Sequence, residues 1–257
     1  MRKDSQKRVD SDFAEGLVSL LAVLRSDSRP VLEIILHPNV KKDDRKFLQM
    51  ISIAKKKKIP IRVEGTEFFD TVATGQTHGG VLSRVGERRM QDVASVFQSG
   101  NGFVFMLCGI EDPFNFGCAV RSFYAAGAGG MILTPRNWLS AAGVAIRSSA
   151  GTCEMIPCAV AEDPQELLQV AKEHGYKVVC ASEKDSVPLY SAPLDTPVFL
   201  IIGGEKRGIS KDYLDGADCK VRIPYGRSFH GSLTASAAAA VCAFEILRRK
   251  QSVEGEK

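Results

Sequence analysis

The sequence contains no apolar run of eighteen residues, which leaves no helix long enough to span a bilayer. The stretch Met1 to Asp12 is polar and charged and has no apolar core of the kind a secretory leader needs, so a cytoplasmic protein is expected. There is no C-x-x-C pair and no H-x-x-x-H pair. The four histidines (His37, His78, His174, His230) are scattered, so no metal site is expected. The seven cysteines are odd in number and lie mostly in apolar stretches, which points to reduced, buried thiols rather than disulfides. No internal repeat is visible.

What is present is the composition of a soluble globular chain. Its 257 residues are 44% hydrophobic and 25% charged, enough for two domains with a core each. The net charge of +4 is mild but locally biased. Residues 1–58 hold fourteen Lys/Arg against eight Asp/Glu, including the run Lys55 to Lys58. That run is either a solvated helix end, where lysine complements the macrodipole, or a patch that contacts phosphates. Charge alone favours the first reading.

The hydrophobic pattern alternates between strand and helix. Asp10 to Arg25 carries Phe13, Leu17, Leu20, Leu21 and Leu24 at helical spacing. Strands are expected at 31–36, 61–63 and 81–85, with helices at 43–57 and 67–72. This predicts a small α/β domain over residues 1–95. The polar stretch Glu87 to Gly102, ending in Ser99-Gly100-Asn101-Gly102, is expected to hold the domain boundary. A second domain over residues 100–250 has strands at 103–107, 130–133, 177–181, 198–202 and 220–223. Helices are expected at 115–126 and 233–250. Between them, Asp163-Pro164-Gln165-Glu166 is a strong helix start, with Asp at the cap, Pro at the first position and Glu at the third. Such alternation predicts a mainly parallel sheet covered on both faces.

In parallel α/β folds ligands bind beyond the carboxyl ends of strands. Three segments place unusual residues there. The first is Glu111 to Arg121, where Asn115 either caps the helix or faces a ligand, and Arg121 lies six residues on. The second is Phe199 to Ser210, an apolar strand running into Gly203, Gly204, Glu205 and Gly208. Gly203 and Gly208 have the spacing of a P-loop, but Ile209 stands where its lysine belongs, which disfavours a nucleotide hydrolase. The third is Val221 to Ser236, in which Ile223-Pro224 ends a strand and Ser232-Leu233 opens an Ala-rich helix, with Ser232 the expected cap.

In this order the three segments resemble the SpoU/TrmH family of SPOUT-class RNA methyltransferases. The resemblance rests on Asn115, Gly117 and Arg121, on Gly203, Glu205 and Gly208, and on Ile223, Pro224, Ser232 and Leu233. The segment Arg147-Ser148-Ser149-Ala150-Gly151 is also similar. The match spans roughly residues 103 to 249. The first domain, with His78-Gly79-Gly80-Val81 before a strand, looks like the L30e-type substrate-binding domain found in many members.

The resemblance implies a C-terminal α/β fold with a deep trefoil knot, and a homodimer with each active site near the dimer interface. It implies S-adenosylmethionine held by Gly203, Gly208, Ile223 and Leu233. Arg121, Asn115, Glu205 and Ser232 would serve methyl transfer to a ribose 2′-hydroxyl of RNA, ribosomal RNA before transfer RNA. Free arginine stays protonated at neutral pH, so Arg121 is better cast as stabilising a developing alkoxide and gripping phosphate than as a simple base. One departure stands out. Many members have Asn after Ser-Leu, whereas this chain has Thr234. A family member that binds RNA without catalysis is the competing reading.

Overall fold

The computed structural model describes residues 12–74, 76–100, 102–135, 142–194, 197–204 and 206–255. In chain order the first elements are β1 (Asp12–Glu15), α1 (Leu17–Ser26), β2 (Val31–Leu36), α2 (Arg45–Lys56), β3 (Ile61–Val63), α3 (Thr66–Val72), β4 (Val81–Val85) and α4 (Val93–Ser99). Next are β5 (Phe103–Cys108), α5 (Pro113–Ala125), β6 (Gly130–Leu133), α6 (Ala142–Ser148), α7 (Thr152–Met155), β7 (Cys158–Val160) and α8 (Pro164–Glu173). The last are β8 (Lys177–Ala181), β9 (Val187–Pro188), β10 (Val198–Gly203), α9 (Lys211–Gly216), β11 (Cys219–Arg222) and α10 (Ala235–Gly255). The chain divides into two compact units, Met1–Arg89 with Asn137–Met155, and Met90–Arg136 with Ile156–Lys257.

The first unit is a four-stranded sheet in the order β1-β4-β2-β3, with β2 and β3 parallel and the other pairs antiparallel. The period-two pleat of β2 sends Ile34 and Leu36 to one face and Ile35 to the other. Ile34 and Leu36 pack with Leu20, Leu24, Phe47 and Met50 of α1 and α2. Ile35 packs with Phe69 of α3 and Leu82. The helix expected from Asp10 to Arg25 is not continuous. Residues 12–15 pair with β4 as a strand, and Gly16, at φ 87°, turns the chain into α1. Pairing with a neighbouring strand outweighs a helical spacing that only Phe13 carried into this stretch.

Residues 142–155 belong to this first unit although they follow β5 and β6 in sequence. They are tied to it by buried charge. Ser28 Oγ and Arg29 Nε donate to the two oxygens of the Glu154 carboxylate at 2.6 and 3.0 Å. Arg147 Nη1 donates to Glu15 Oε2 at 2.6 Å. Breaking such a pair by removing one partner costs about 3–5 kcal/mol, because the remaining charge stays buried.

The second unit is a seven-stranded, fully parallel sheet in the order β7-β6-β5-β10-β8-β11-β9. Val104, Met106, Val178, Phe199 and Ile201 face one layer with α4, α8 and Tyr213 of α9. On the other layer Phe105 stacks on Phe123 of α5 at 3.9 Å between ring centroids. There α10 packs along α5 and β10.

The stretch Glu87 to Gly102, expected to hold the domain boundary, also contains α4, a helix the sequence reading did not place. Asp92 caps this helix by accepting from Ser95 N at 2.8 Å, and Val96 and Phe97 are buried in the second core. The short elements α6, α7, β7, β9 and α9 were not expected either. The strong start at Asp163 forms as anticipated, with its carboxylate accepting from Gln165 N and Glu166 N. The seven cysteines are free thiols, and burial pushes Cys153, Cys180 and Cys242 up to about 12. No helix among the described residues is long and apolar enough to cross a membrane.

Candidate active site

The carboxyl ends of β8, β10 and β11 surround a cavity of about 210 Å³ in the second unit. The sheet order explains why an opening exists. From β5 the chain builds outward through β6 and β7, then crosses to β8 and returns to insert β10 between β5 and β8. Such reversal points separate the flanking connections and leave a crevice at the carboxyl edge.

β10 is a buried apolar strand that ends at Gly203, paired with Cys108 of β5. Beyond it the loop folds back on its own base. Gly204 N donates to Cys108 O at 2.7 Å, and Gly208 N donates to Gly204 O at 3.0 Å. A side-chain carbon on Gly203 would lie 2.6 Å from the Gly208 carbonyl carbon, and one on Gly204 would lie 2.3 Å from Gly109 O. Both glycines are therefore required by backbone approaching backbone. Gly203, Gly204 and Gly208 form one wall of the cavity, with Ile202 and Ile209 beside them.

The opposite wall comes from the third segment. β11 runs into Ile223, and the loop that follows returns as Ser232 and Leu233; all three of these residues line the cavity. Leu233 N donates to Tyr225 Oη at 3.2 Å, which pins the two ends of this loop together. The cap of α10 is Thr234, not Ser232. Thr234 Oγ1 accepts from Ala237 N at 3.3 Å, and its carbonyl accepts from Ala238 N at 3.0 Å. Thr and Asn are both good capping residues, so the departure noted in the sequence preserves the helix start. Ser232 is exposed and faces the cavity instead.

The structure thus brings Gly203, Gly208, Ile223, Ser232 and Leu233 around one opening. It does not bring Asn115 or Arg121 to that lining. The cap of α5 is Asp112, whose carboxylate accepts from Phe114 N and Asn115 N at 3.0 and 3.3 Å. Asn115 sits in the first turn with its side chain released from capping. Arg121 is exposed and makes no hydrogen bond or ion pair among the described residues. Glu205 lies outside the described residues. Two polar lining residues escaped the sequence reading, Ser182 and Glu183, just past β8. The available signal was an acidic residue directly after an apolar strand, in Ala181-Ser182-Glu183.

The cavity fits a nucleoside-type ligand. Ile202, Ile209, Ile223, Leu233 and Ala235 offer an apolar slot, and the glycines let main chain approach closely. Ser182, Glu183 and Ser232 supply hydroxyl and carboxylate partners at its margin.

Comparison with known proteins agrees with this geometry. The model of the SpoU rRNA Methylase family matches residues 102–244. The model described as RNA 2′-O ribose methyltransferase substrate binding matches residues 13–91. The chain is 27% identical over 244 residues to the 23S rRNA (guanosine-2′-O-)-methyltransferase RlmB of Yersinia pestis, covering 93% of this chain and 98% of that one. Among solved structures, the SpoU methyltransferase AviRb of Streptomyces viridochromogenes superposes with a TM-score of 0.79 at 18% identity, covering 98% of this chain and 94% of that one. An AdoMet-bound rRNA methyltransferase from Sinorhizobium meliloti superposes with a TM-score of 0.78 at 22% identity, covering 96% and 91%.

Proposed function

The chain belongs to the SpoU rRNA methylase family, and from that premise we propose that it transfers a methyl group from S-adenosylmethionine to a ribose 2′-hydroxyl of ribosomal RNA. The observation that carries the reading is the convergence of Gly203, Gly208, Ile223, Ser232 and Leu233, drawn from two distant segments, on one cavity at the carboxyl edge of a parallel sheet. Ribosomal RNA is the substrate class we favour, because relatives aligned over nearly their whole length carry that activity in their names. The trefoil knot belongs to the same reading.

When bound, S-adenosylmethionine supplies a methyl carbon made electrophilic by a sulfonium. The chain's own residues then have four tasks. Gly203, Gly208, Ile223 and Leu233 hold the donor's base, and the carboxylate of Glu183 accepts from its ribose hydroxyls. As the O–C bond to the methyl forms, the sulfonium S–C bond breaks, S-adenosylhomocysteine leaves and the 2′-hydroxyl proton passes to solvent; Arg121, a cation with a forked donor array, would stabilise the negative charge on the 2′-oxygen and bind the neighbouring phosphate. Asn115 and Glu205 orient Arg121 and the target ribose. Ser232 contacts the substrate from the cavity mouth. Alignment of the two reactants supplies most of the rate enhancement.

Arg121 is not among the residues lining the cavity, and we infer a homodimer in which α5 of a second copy completes the site. Exposed Phe114 on α5 and Phe244 on α10 support an apolar contact on this side of the unit, at 57% and 49% exposure.

The test is calorimetric titration of the purified protein with S-adenosylmethionine, then transfer of labelled methyl to ribosomal RNA and to its 2′-deoxy counterpart. Saturable binding with transfer only to the ribose form is expected. Binding of RNA without any donor binding would replace this reading with that of a non-catalytic RNA-binding member.

A further inference from the structure

The loop between β11 and α10 holds a pair of aromatic rings whose use the donor cavity does not explain. Residues 224–232 are all exposed, yet they include Tyr225 and Phe229. Phe229 is 58% exposed. A single phenylalanine on a surface is ordinary, but this ring is held in place. Its centroid lies 5.8 Å from that of Tyr225, with the two planes 57° apart. Its tip rests on Gly231, where a side-chain carbon would lie 2.5 Å from Phe229 Cζ and 3.1 Å from Cε1 and Cε2. Tyr225 is itself fixed, because Leu233 N donates to its hydroxyl at 3.2 Å. Tyr225 also lines the donor cavity, as does Ser232. Phe229 is therefore a positioned ring one aromatic contact away from the cavity.

The charges of the loop select what covers the ring. From Cys219 to Phe244 the chain has no Asp or Glu, while Lys220, Arg222 and Arg227 are cations. Arg227 is exposed and makes no hydrogen bond or ion pair among the described residues. An exposed ring beside an uncompensated guanidinium matches both halves of a nucleotide: the base has a face to stack, and the phosphate takes the charge. A second copy that met this loop with its own loop would instead oppose like charges.

We propose that Phe229 is the shelf on which the base of the methyl-accepting nucleotide stacks, with Arg227 on an adjacent phosphate; that this nucleotide is the acceptor rests on the function proposed above. Only a base freed from its own neighbours presents a whole face, so the shelf selects an unpaired nucleotide. Stacking tolerates any base, so Phe229 chooses the state of the nucleotide rather than its identity. Holding the base also restrains the attached ribose, whose 2′-oxygen has to align with the methyl group.

The full chain is titrated into a single-stranded RNA oligonucleotide that carries one 2-aminopurine, a base whose fluorescence is quenched on stacking. Three variants separate stacking from mere apolar bulk. Phe229→Ala removes the ring, Phe229→Leu keeps the bulk without an aromatic face, and Phe229→Trp keeps the face. The side chain is exposed, so all three should melt with the wild type. Saturable quenching is expected in the wild type and in F229W, with affinity about tenfold weaker in F229A and F229L. The kcat/KM for ribosomal RNA should fall in the same order, with S-adenosylmethionine affinity unchanged. A wild type that is not quenched, or an F229L protein that matches it, overturns the shelf. So does dissociation of a dimer in F229A on sedimentation, which would assign the ring to a contact between copies. Methyl transfer at the full rate in F229A overturns the shelf and leaves the function standing. Quenching that depends on Phe229 in a protein that binds no S-adenosylmethionine counts against the methyltransferase reading and overturns the acceptor assignment with it.

Discussion

Gly203 and Gly208 are five residues apart in sequence, yet a Cβ on the first would sit 2.6 Å from the carbonyl carbon of the second. The neighbour in the way is main chain, which cannot swing aside as a flexible side chain would. Gly203→Val is therefore expected to push the 203–209 loop into the cavity. Donor binding should be lost, at a stability cost of about 1–3 kcal/mol typical of overpacking. Calorimetry with S-adenosylmethionine and a thermal melt check both parts. Undiminished donor affinity in a folded G203V protein would remove this loop from the donor site.

Thr234 holds the start of α10 through its hydroxyl. Thr234→Ala should cost about 1 kcal/mol, whereas Thr234→Asn should be nearly neutral, because both native and Asn side chains can cap. Denaturant midpoints of the two variants decide it. An unchanged midpoint in Thr234→Ala would mean that the hydroxyl contact contributes little to the helix, and equal destabilisation by both variants would mean that Asn does not replace the cap.

Arg121 is exposed and has no partner among the described residues. Arg121→Ala should leave stability within about 0.5 kcal/mol and donor affinity intact. Methyl transfer should fall by about 10²–10³, the usual cost of removing one donor to a developing oxyanion. Arg121→Lys keeps the charge but loses the fork, so it should recover only part of the rate. Full turnover in R121A would end the assignment.

Glu245 of α10 is 6% exposed and accepts from Arg248 at 2.8 and 2.9 Å and from Arg249 at 2.8 Å. The hydrogen bonds from Arg248, then from Arg249, hold its carboxyl below the ordinary 4.5. A depressed folded-state value means that this carboxylate contributes full stability above about 4.5 and loses it as pH falls through the lower folded value. Glu245→Gln should lower the melting temperature near neutral pH, and the gap from wild type should close on acidification. A gap that stays constant with pH would show that the ion pairs contribute nothing to folding.

The parts of the fold legible in the sequence were those whose cause is local. The strands at 31–36, 61–63, 81–85, 130–133 and 177–181 occupy the expected residues, because short apolar or β-branched runs flanked by turn residues have few alternatives. The helix start at Asp163-Pro164 was legible for the same reason. The misplaced elements depend on a distant partner. Residues 12–15 become a strand because β4 offers an edge. The helix α4 hides in a polar stretch because only Val96 and Phe97 are needed to anchor it.

The sequence by itself determined the α/β class, the parallel second sheet, and the glycines and Ile-Pro turn that mark a ligand site, since each follows from spacing along the chain. Only the tertiary structure decided which of those residues meet. It placed Ser232 on the cavity and gave the cap to Thr234, because the loop is pinned by Tyr225, 8 residues from Leu233. It left Arg121 on an outer helix face, and it drew residues 142–155 into the first unit through the carboxylates of Glu15 and Glu154. Such groupings arise from burial and from satisfying charge over long sequence distances, and no local pattern encodes them.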